Sequence, residues 1–127
     1  TDLSHKELTD LTFVGIAGLI DPPKTSAIKA IEECYNAGIS VKMITGDHKE
    51  TARAIGREIG LKHTEKVLEG TEIDELNATE LAQIVNKVDV YARTTPEHKL
   101  RIVEALQQNG EIVGMTGDGV NDAPALK

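Results

Sequence analysis

Met43-Ile44-Thr45-Gly46-Asp47 and Gly114-Met115-Thr116-Gly117-Asp118 are the two stretches on which the fold turns. Each runs an apolar segment into Thr-Gly-Asp and then toward a stretch with helix-forming signals. In open parallel sheets the ligand crevice lies outside the carboxyl ends of the strands, so both threonines and both aspartates are expected to face one crevice. The repeat therefore carries a fold and a site together.

Outward from this pair, the chain reads as strands alternating with helices. Leu11 to Ile20 is apolar and partly β-branched and stops at Asp21-Pro22-Pro23, which predicts a strand followed by a turn. Thr25 to Ala37 places Ala27, Ile28, Ile31, Cys34 and Tyr35 at helical spacing, with Gly38 positioned to end the helix. Ile39 to Ile44 reads as a buried strand. Asp47, with Glu50 three residues later, predicts a capping box for a helix carrying Ala52, Ile55 and Ile59 and ended by Gly60. Val67-Leu68 reads as a short strand, Ala78 to Val85 as a helix, and Val88 to Ala92 as a strand. Thr95-Pro96 predicts the cap and first residue of a helix closed by Gly110. Glu111 to Met115 is expected to be the last strand, with Asp122 capping a helix that begins Ala123-Pro124. The fold class is α/β, a mainly parallel sheet with helices on both faces.

Composition narrows the function. The chain has 127 residues, 39% of them apolar and 28% charged, as expected for one globular domain. Its 14 Lys+Arg against 21 Asp+Glu give a formal charge of −7, the wrong sign for gripping a nucleic-acid backbone or an anionic lipid surface. No nucleic-acid partner is expected. The longest apolar run, Phe13 to Ile20, has eight residues, whereas a spanning helix needs about 20. No direct membrane insertion by this segment is expected either. Thr1-Asp2-Leu3-Ser4-His5 is no signal peptide and looks like a cut inside a longer chain. Cys34 is the lone cysteine, read as a small buried thiol.

The residues at the expected crevice are hydroxyls, glycine-flanked N–H groups and helix N-termini, a set that suits a phosphoryl group. Carboxylates there would repel phosphate unless a cation lay between them, and Mg²⁺ takes oxygens from one or two carboxylates while also binding substrate phosphate. Asp118, Asn121 and Asp122 supply three oxygen-bearing side chains within five residues. Taken singly, Asp47 and Asp122 read equally well as helix caps and Asp118 as a turn residue, although a cap needs neither the glycine nor the repeat. Lys99 could reach back to a phosphate as a compact charge, but by pattern alone a solvated surface lysine is the default. Arg93 is a crevice group or an ordinary surface arginine. His5, His48, His63 and His98 have no metal-site spacing, and no GxGxxG opens a helix.

Four segments resemble the second half of the phosphorylation domain of type II P-type ATPases, in that family's order. They are Asp21-Pro22-Pro23-Lys24, Met43 to His48, Tyr91 to Lys99, and Met115 to Lys127. The resemblance runs from Leu11 almost to the end and looks closest to bacterial relatives of the calcium pumps, with sodium/potassium-type pumps near. It implies a haloacid-dehalogenase-like Rossmannoid sheet, here incomplete. Residues 1–20 would be the entry strand and hinge from the nucleotide domain, and 21–127 part of the Rossmannoid core. Such pumps transfer the ATP γ-phosphoryl to an aspartate and couple its hydrolysis to cation transport. By resemblance Asp118 and Asp122 would hold Mg²⁺. Thr45, Gly46 and Asp47 would contact phosphoryl and nucleotide, and Lys99 would neutralise the transferring charge. Asn121 would hydrogen-bond the phosphoryl, Arg93 would approach the nucleotide, and Asp21 would sit at the hinge. Thr45, Lys99, Asp118 and Asn121 are the expected catalytic set. ATP and Mg²⁺ are the implied ligands. The nucleotide-binding, actuator and membrane domains of a parent pump are the implied partners, with this segment in the cytoplasmic part of a cell-membrane protein.

Two departures follow. Lys24 stands where many relatives have arginine. The family's Asp-Lys-Thr-Gly-Thr segment, with the nucleophile, is absent from these 127 residues, so the isolated chain is expected to be inactive. In the superfamily's strand order that segment lies between the strand ending at Ile44 and the strand ending at Met115. Its place is therefore expected to be filled by another chain or a rearranged segment, or Glu111 to Lys127 to be displaced. A stand-alone phosphatase of the same superfamily would need its own nucleophile, for which Asp89 is the one candidate. An inactive fragment that binds nucleotide or Mg²⁺ is the third reading.

Overall fold

Alternation of side chains along three short strands assigns the core to two faces of one sheet. The structure, a computed structural model, describes residues 12–18 and 22–117. Its elements are α1 (Thr25–Asn36), β1 (Met43–Ile44), α2 (Lys49–Glu58), β2 (Val67–Glu69), α3 (Gly70–Glu75), α4 (Ala78–Val85), β3 (Val90–Ala92) and α5 (Pro96–Gln108). The strands are parallel in the order β1-β3-β2, with Met43 and Val67 beside Val90, and Ile44 and Leu68 beside Tyr91.

Because successive strand residues point to opposite faces, this register sorts them cleanly. Met43, Val67, Val90 and Ala92 join Ile31 of α1 and Ala52 of α2 on one face. Ile44, Leu68 and Tyr91 join Ile73, Leu81, Val85, Ile102 and Leu106 of α3, α4 and α5 on the other. The expected layering, a parallel sheet with helices on both faces, is what forms. β3 lies between both other strands and is buried throughout, as its unbroken apolar reading demands.

The helix boundaries follow the chain's own signals. Thr95 caps α5 through its side chain, with Pro96 at the first turn. Asn77 caps α4, and Glu80 reaches back to the Asn77 N–H. At the other ends Gly38, Gly60 and Gly110 stand at φ +76°, +86° and +84°. Each sits in a Schellman closure, such as Ile39 N–H to the Cys34 carbonyl at 2.8 Å. Among the described residues no helix is long and apolar enough to cross a membrane.

Several expectations change. The expected strand from Leu11 is not formed over 12–18, where Phe13, Val14 and Ile16 are exposed; Leu11 and residues 19–21 lie outside the described residues. Among the described residues no neighbouring strand offers this stretch a ladder, and apolar β-branched sequence without one does not make a strand. The Ile39–Ile44 and Val88–Ala92 strands shrink to β1 and β3. Glu111–Met115 is not a strand and does not pair with β1, and Ile112 is fully exposed. Among the described residues β1 therefore pairs on one side only. Asp47 does not cap α2: the cap position is His48, with no side-chain cap bond, because the Asp47 carboxylate is taken by the Thr45 hydroxyl. Helix α3 was not expected. Its six residues are too few for periodicity to register.

Asp89 sits just before β3 and is 3% exposed. Its carboxylate accepts from Lys42 Nζ at 3.1 Å and from the His63 N–H at 2.9 Å. Lys42 also donates to the Val88 carbonyl at 2.7 Å. This ion pair holds the amino end of the central strand, the edge opposite the crevice. Removing one partner of a buried pair strands the other's charge, so Asp89→Ala should lower the unfolding free energy by about 3 kcal/mol. A urea titration of the chain reads this as a lower midpoint; a loss below about 0.5 kcal/mol would return the pair to surface status.

Candidate functional site

The carboxyl ends of β1 and β3 are fastened to each other before any ligand is considered. Thr45, immediately after β1, donates its N–H to the Tyr91 carbonyl at 2.9 Å. Its own carbonyl accepts the Thr94 N–H at 3.1 Å and the Thr94 hydroxyl at 2.9 Å. The Arg93 N–H reaches the Asp47 carbonyl at 3.0 Å. The segments 45–47 and 93–94 thus form one clasp across the sheet edge.

Within the clasp the polar groups are organised by short-range bonds. The Thr45 hydroxyl accepts the Asp47 N–H at 3.1 Å and donates to Asp47 Oδ2 at 3.0 Å. Arg93 is the one non-glycine described residue at positive φ, +48°. A left-handed arginine costs about 1 kcal/mol or more and persists where its surroundings over-determine it. Here the Asp47 carbonyl holds its N–H, while Arg93 Nη2 lies 2.6 Å from His48 Nδ1. The contact puts the guanidinium beside the N-terminus of α2.

The start of α5 closes the third side. Thr95 accepts the His98 N–H through its hydroxyl, and His98 Nδ1 accepts the Thr95 N–H at 2.9 Å. This is a capping box with histidine where glutamate or glutamine is usual. Lys99 follows in the first turn and is half-buried. Glu72 of α3 accepts the Glu69 N–H at 2.9 Å and pairs with Lys49 at 3.1 Å. Burial alone would raise the Glu72 pKa, but that N–H and the lysine outweigh it and hold it below the usual carboxylate range. Tyr91 goes the other way: burial pushes its phenol up, and its proton is shared between the Val85 and Val88 carbonyls at 3.1 and 3.2 Å.

Of the residues expected from sequence, Thr45, Gly46, Asp47 and Arg93 come together in the clasp, and Lys99 stands on the helix that leaves it. Asp21, Asp118, Asn121 and Asp122 lie outside the described residues. The expected convergence of two strand-end Thr-Gly-Asp motifs is not formed among the described residues: Thr116 and Gly117 are exposed and follow no strand. Asp89, the candidate nucleophile of a stand-alone phosphatase, is buried at the opposite edge. The sequence reading missed His48, Thr94 and His98. His98 had a signal, since it falls at the third helical position after Thr95-Pro96, where a capping-box partner belongs. Thr94 had none, because its role is a bond to a residue 49 positions away.

No group of three or more metal-ligating side chains assembles among the described residues. The clasp offers the Asp47 carboxylate and the Thr45 hydroxyl, hard oxygen donors without a thiol. Asp118 and Asp122, to which the resemblance assigns Mg²⁺, lie outside the described residues.

The haloacid dehalogenase-like hydrolase family matches residues 2–127. The calcium-transporting ATPase of Bacillus subtilis is 54% identical over 93% of this chain and 13% of its own length. Calcium-transporting ATPase 1 of Bacillus cereus is 51% identical over 99% of this chain and 14% of its own. The human calcium-transporting ATPase type 2C member 2 is 54% identical over 98% and 13% respectively. This chain spans about one-seventh of the length of these relatives. With a parallel α/β sheet whose polar groups gather at the carboxyl ends of its strands, and a family match over nearly all of its length, the chain belongs to the haloacid dehalogenase-like hydrolases.

Proposed function

We propose that this chain is part of the cytoplasmic phosphorylation domain of an ATP-driven, P-type cation pump, with calcium as its cargo. The observation that carries this reading is the clasp of Thr45, Asp47 and Arg93 at the ends of β1 and β3, from which the chain runs through Thr94 and Thr95 into α5 and its first-turn Lys99. The similarity to three calcium-transporting ATPases supports the parent protein and the ion. Domains for nucleotide, actuator and membrane functions would lie elsewhere in that protein, together with the aspartate that receives phosphate.

In the reaction proposed, a carboxylate oxygen of that aspartate bonds to the γ-phosphorus of ATP as the bond to the ADP oxygen breaks. Such a transfer needs little covalent help from its surroundings, so positioning and charge neutralisation are what the chain must supply. The Thr45 hydroxyl, exchanging its bond to Asp47 for one to the substrate, and the Gly46 N–H would hydrogen-bond the phosphoryl oxygens. Lys99 would offset their charge, and Asn121 would add a donor. Arg93 and Asp47 would approach the nucleotide, and Asp21 would sit at the hinge toward its domain. Asp118 and Asp122 would hold Mg²⁺, which when bound screens phosphate from the carboxylates. A stand-alone phosphatase is disfavoured by Asp89, whose carboxylate is buried against Lys42 at the wrong edge of the sheet.

Three outcomes test the reading. In the full-length protein Asp118→Asn should abolish Mg²⁺-dependent phosphoenzyme while leaving the protein folded; wild-type phosphoenzyme would refute the assignment. Lys99→Ala removes one fixed positive group and should slow phosphoryl transfer on the order of 10²-fold, whereas a change below about threefold would make Lys99 an ordinary surface residue. The isolated 127-residue chain, given labelled ATP and Mg²⁺ or a phosphate monoester, should yield neither acid-stable phosphoprotein nor turnover. Either product would mean that the chain carries its own nucleophile.

A further inference from the structure

His98 is built into the fold more tightly than a helix cap requires. Its side chain is 8% exposed. Because Nδ1 accepts the Thr95 N–H, the ring proton sits on Nε2, which donates to Asp74 Oδ1 of α3 at 2.9 Å. One neutral tautomer thus ties the first turn of α5 to α3. A glutamate or glutamine would cap Thr95 as well, but neither carries a rigid second nitrogen held at a fixed angle to the first. The bond to Asp74 is therefore something a cap alone does not explain.

Gly70 supplies an independent observation on the same ring. A Cβ there would stand 2.5 Å from the Arg93 carbonyl oxygen and 2.5 Å from His98 Cε1. The start of α3 is thus in closest contact with both the strained turn of the clasp and the imidazole. Arg101, one turn on, donates to the Ile73 and Leu76 carbonyls and lies 3.7 Å from Asp74, so α3 and α5 are bolted together at a second point. Moving the ring moves the turn that carries Lys99 and presses on the turn that carries Arg93.

We infer that His98 is a positioning residue, held between Asp74 and Gly70, that sets where Lys99 stands relative to Thr45. The inference rests on the pump reading of Lys99. Displacing a charge-neutralising group by about 1 Å can slow a transfer by up to about 10²-fold without changing the substrate's ground-state binding.

The test is a double-mutant cycle in the full-length protein, with rapid-quench phosphorylation from ATP as the readout. In His98→Asn the amide oxygen can still accept the Thr95 N–H but cannot reach Asp74. The maximal phosphorylation rate should fall about tenfold, with the apparent KM for ATP within about twofold, in protein shown to be folded by its thermal unfolding transition. In a Lys99→Ala background the same change should cost less than about twofold, because the group it positions is gone. Asp74→Ala, at an exposed residue, removes the acceptor of the same nitrogen, leaves the bonds of Arg101 to the Ile73 and Leu76 carbonyls in place, and should behave alike if His98→Asn fails to fold. An equal loss with and without Lys99, or a full rate in folded Asp74→Ala, would overturn the inference while leaving the pump reading intact. A silent Lys99→Ala would overturn the inference together with the charge-neutralising role of Lys99, and would leave the parent assignment, which rests on the relatives, standing.

Discussion

Each strand of this sheet pairs with β3, and that constraint organises the rest. β1 and β2 do not touch each other; each takes its register from Val90 and Tyr91. A central strand buried on both faces cannot leave polar groups unmatched. Tyr91 therefore points its hydroxyl back at the Val85 and Val88 carbonyls, and Asp89 takes Lys42 and the His63 N–H. The polar groups at the amino end of β3 are spent on stability. That leaves its carboxyl end as the place where backbone and side-chain groups stay near solvent.

The two ends of the strand thus divide the labour. At the amino end a buried carboxylate is neutralised by a lysine, which fixes its place and removes it from chemistry. At the carboxyl end Arg93 occupies a conformation that a side chain disfavours, held by an N–H bond to Asp47 and by a glycine-thin contact with Gly70. Strain of this kind needs support from several directions. It comes here from all three strand ends: Thr45 to Asp47 after β1, Gly70 after β2, and Arg93 to Thr95 after β3. The short α3 earns its position in that arrangement. It fills the gap between the end of β2 and the start of α5 and receives hydrogen bonds from His98 and Arg101.

The sequence alone determined what is local. The cap at Thr95, the glycines that close α1, α2 and α5, and the apolar face of each long helix depend on residues within about one turn of each other, so composition and spacing expose them. The α/β class followed from the alternation of those elements, and Thr45, Gly46 and Asp47 were legible as a strand-end motif, whereas Arg93 joined them only through the family resemblance. Tertiary structure decided what depends on distant partners. Glu111–Met115 and residues 12–18 have strand-like composition, yet a strand exists only where a neighbour supplies a ladder, and none does among the described residues. Asp47 reads as a cap until the Thr45 hydroxyl claims its carboxylate. His98 reads as a scattered histidine until α3, which short-range pattern cannot announce, brings Asp74 to its second nitrogen. Hydrogen bonds between residues 24 and 49 positions apart leave no periodic trace in a sequence, because the geometry that makes them is set by how β3 aligns the other two strands.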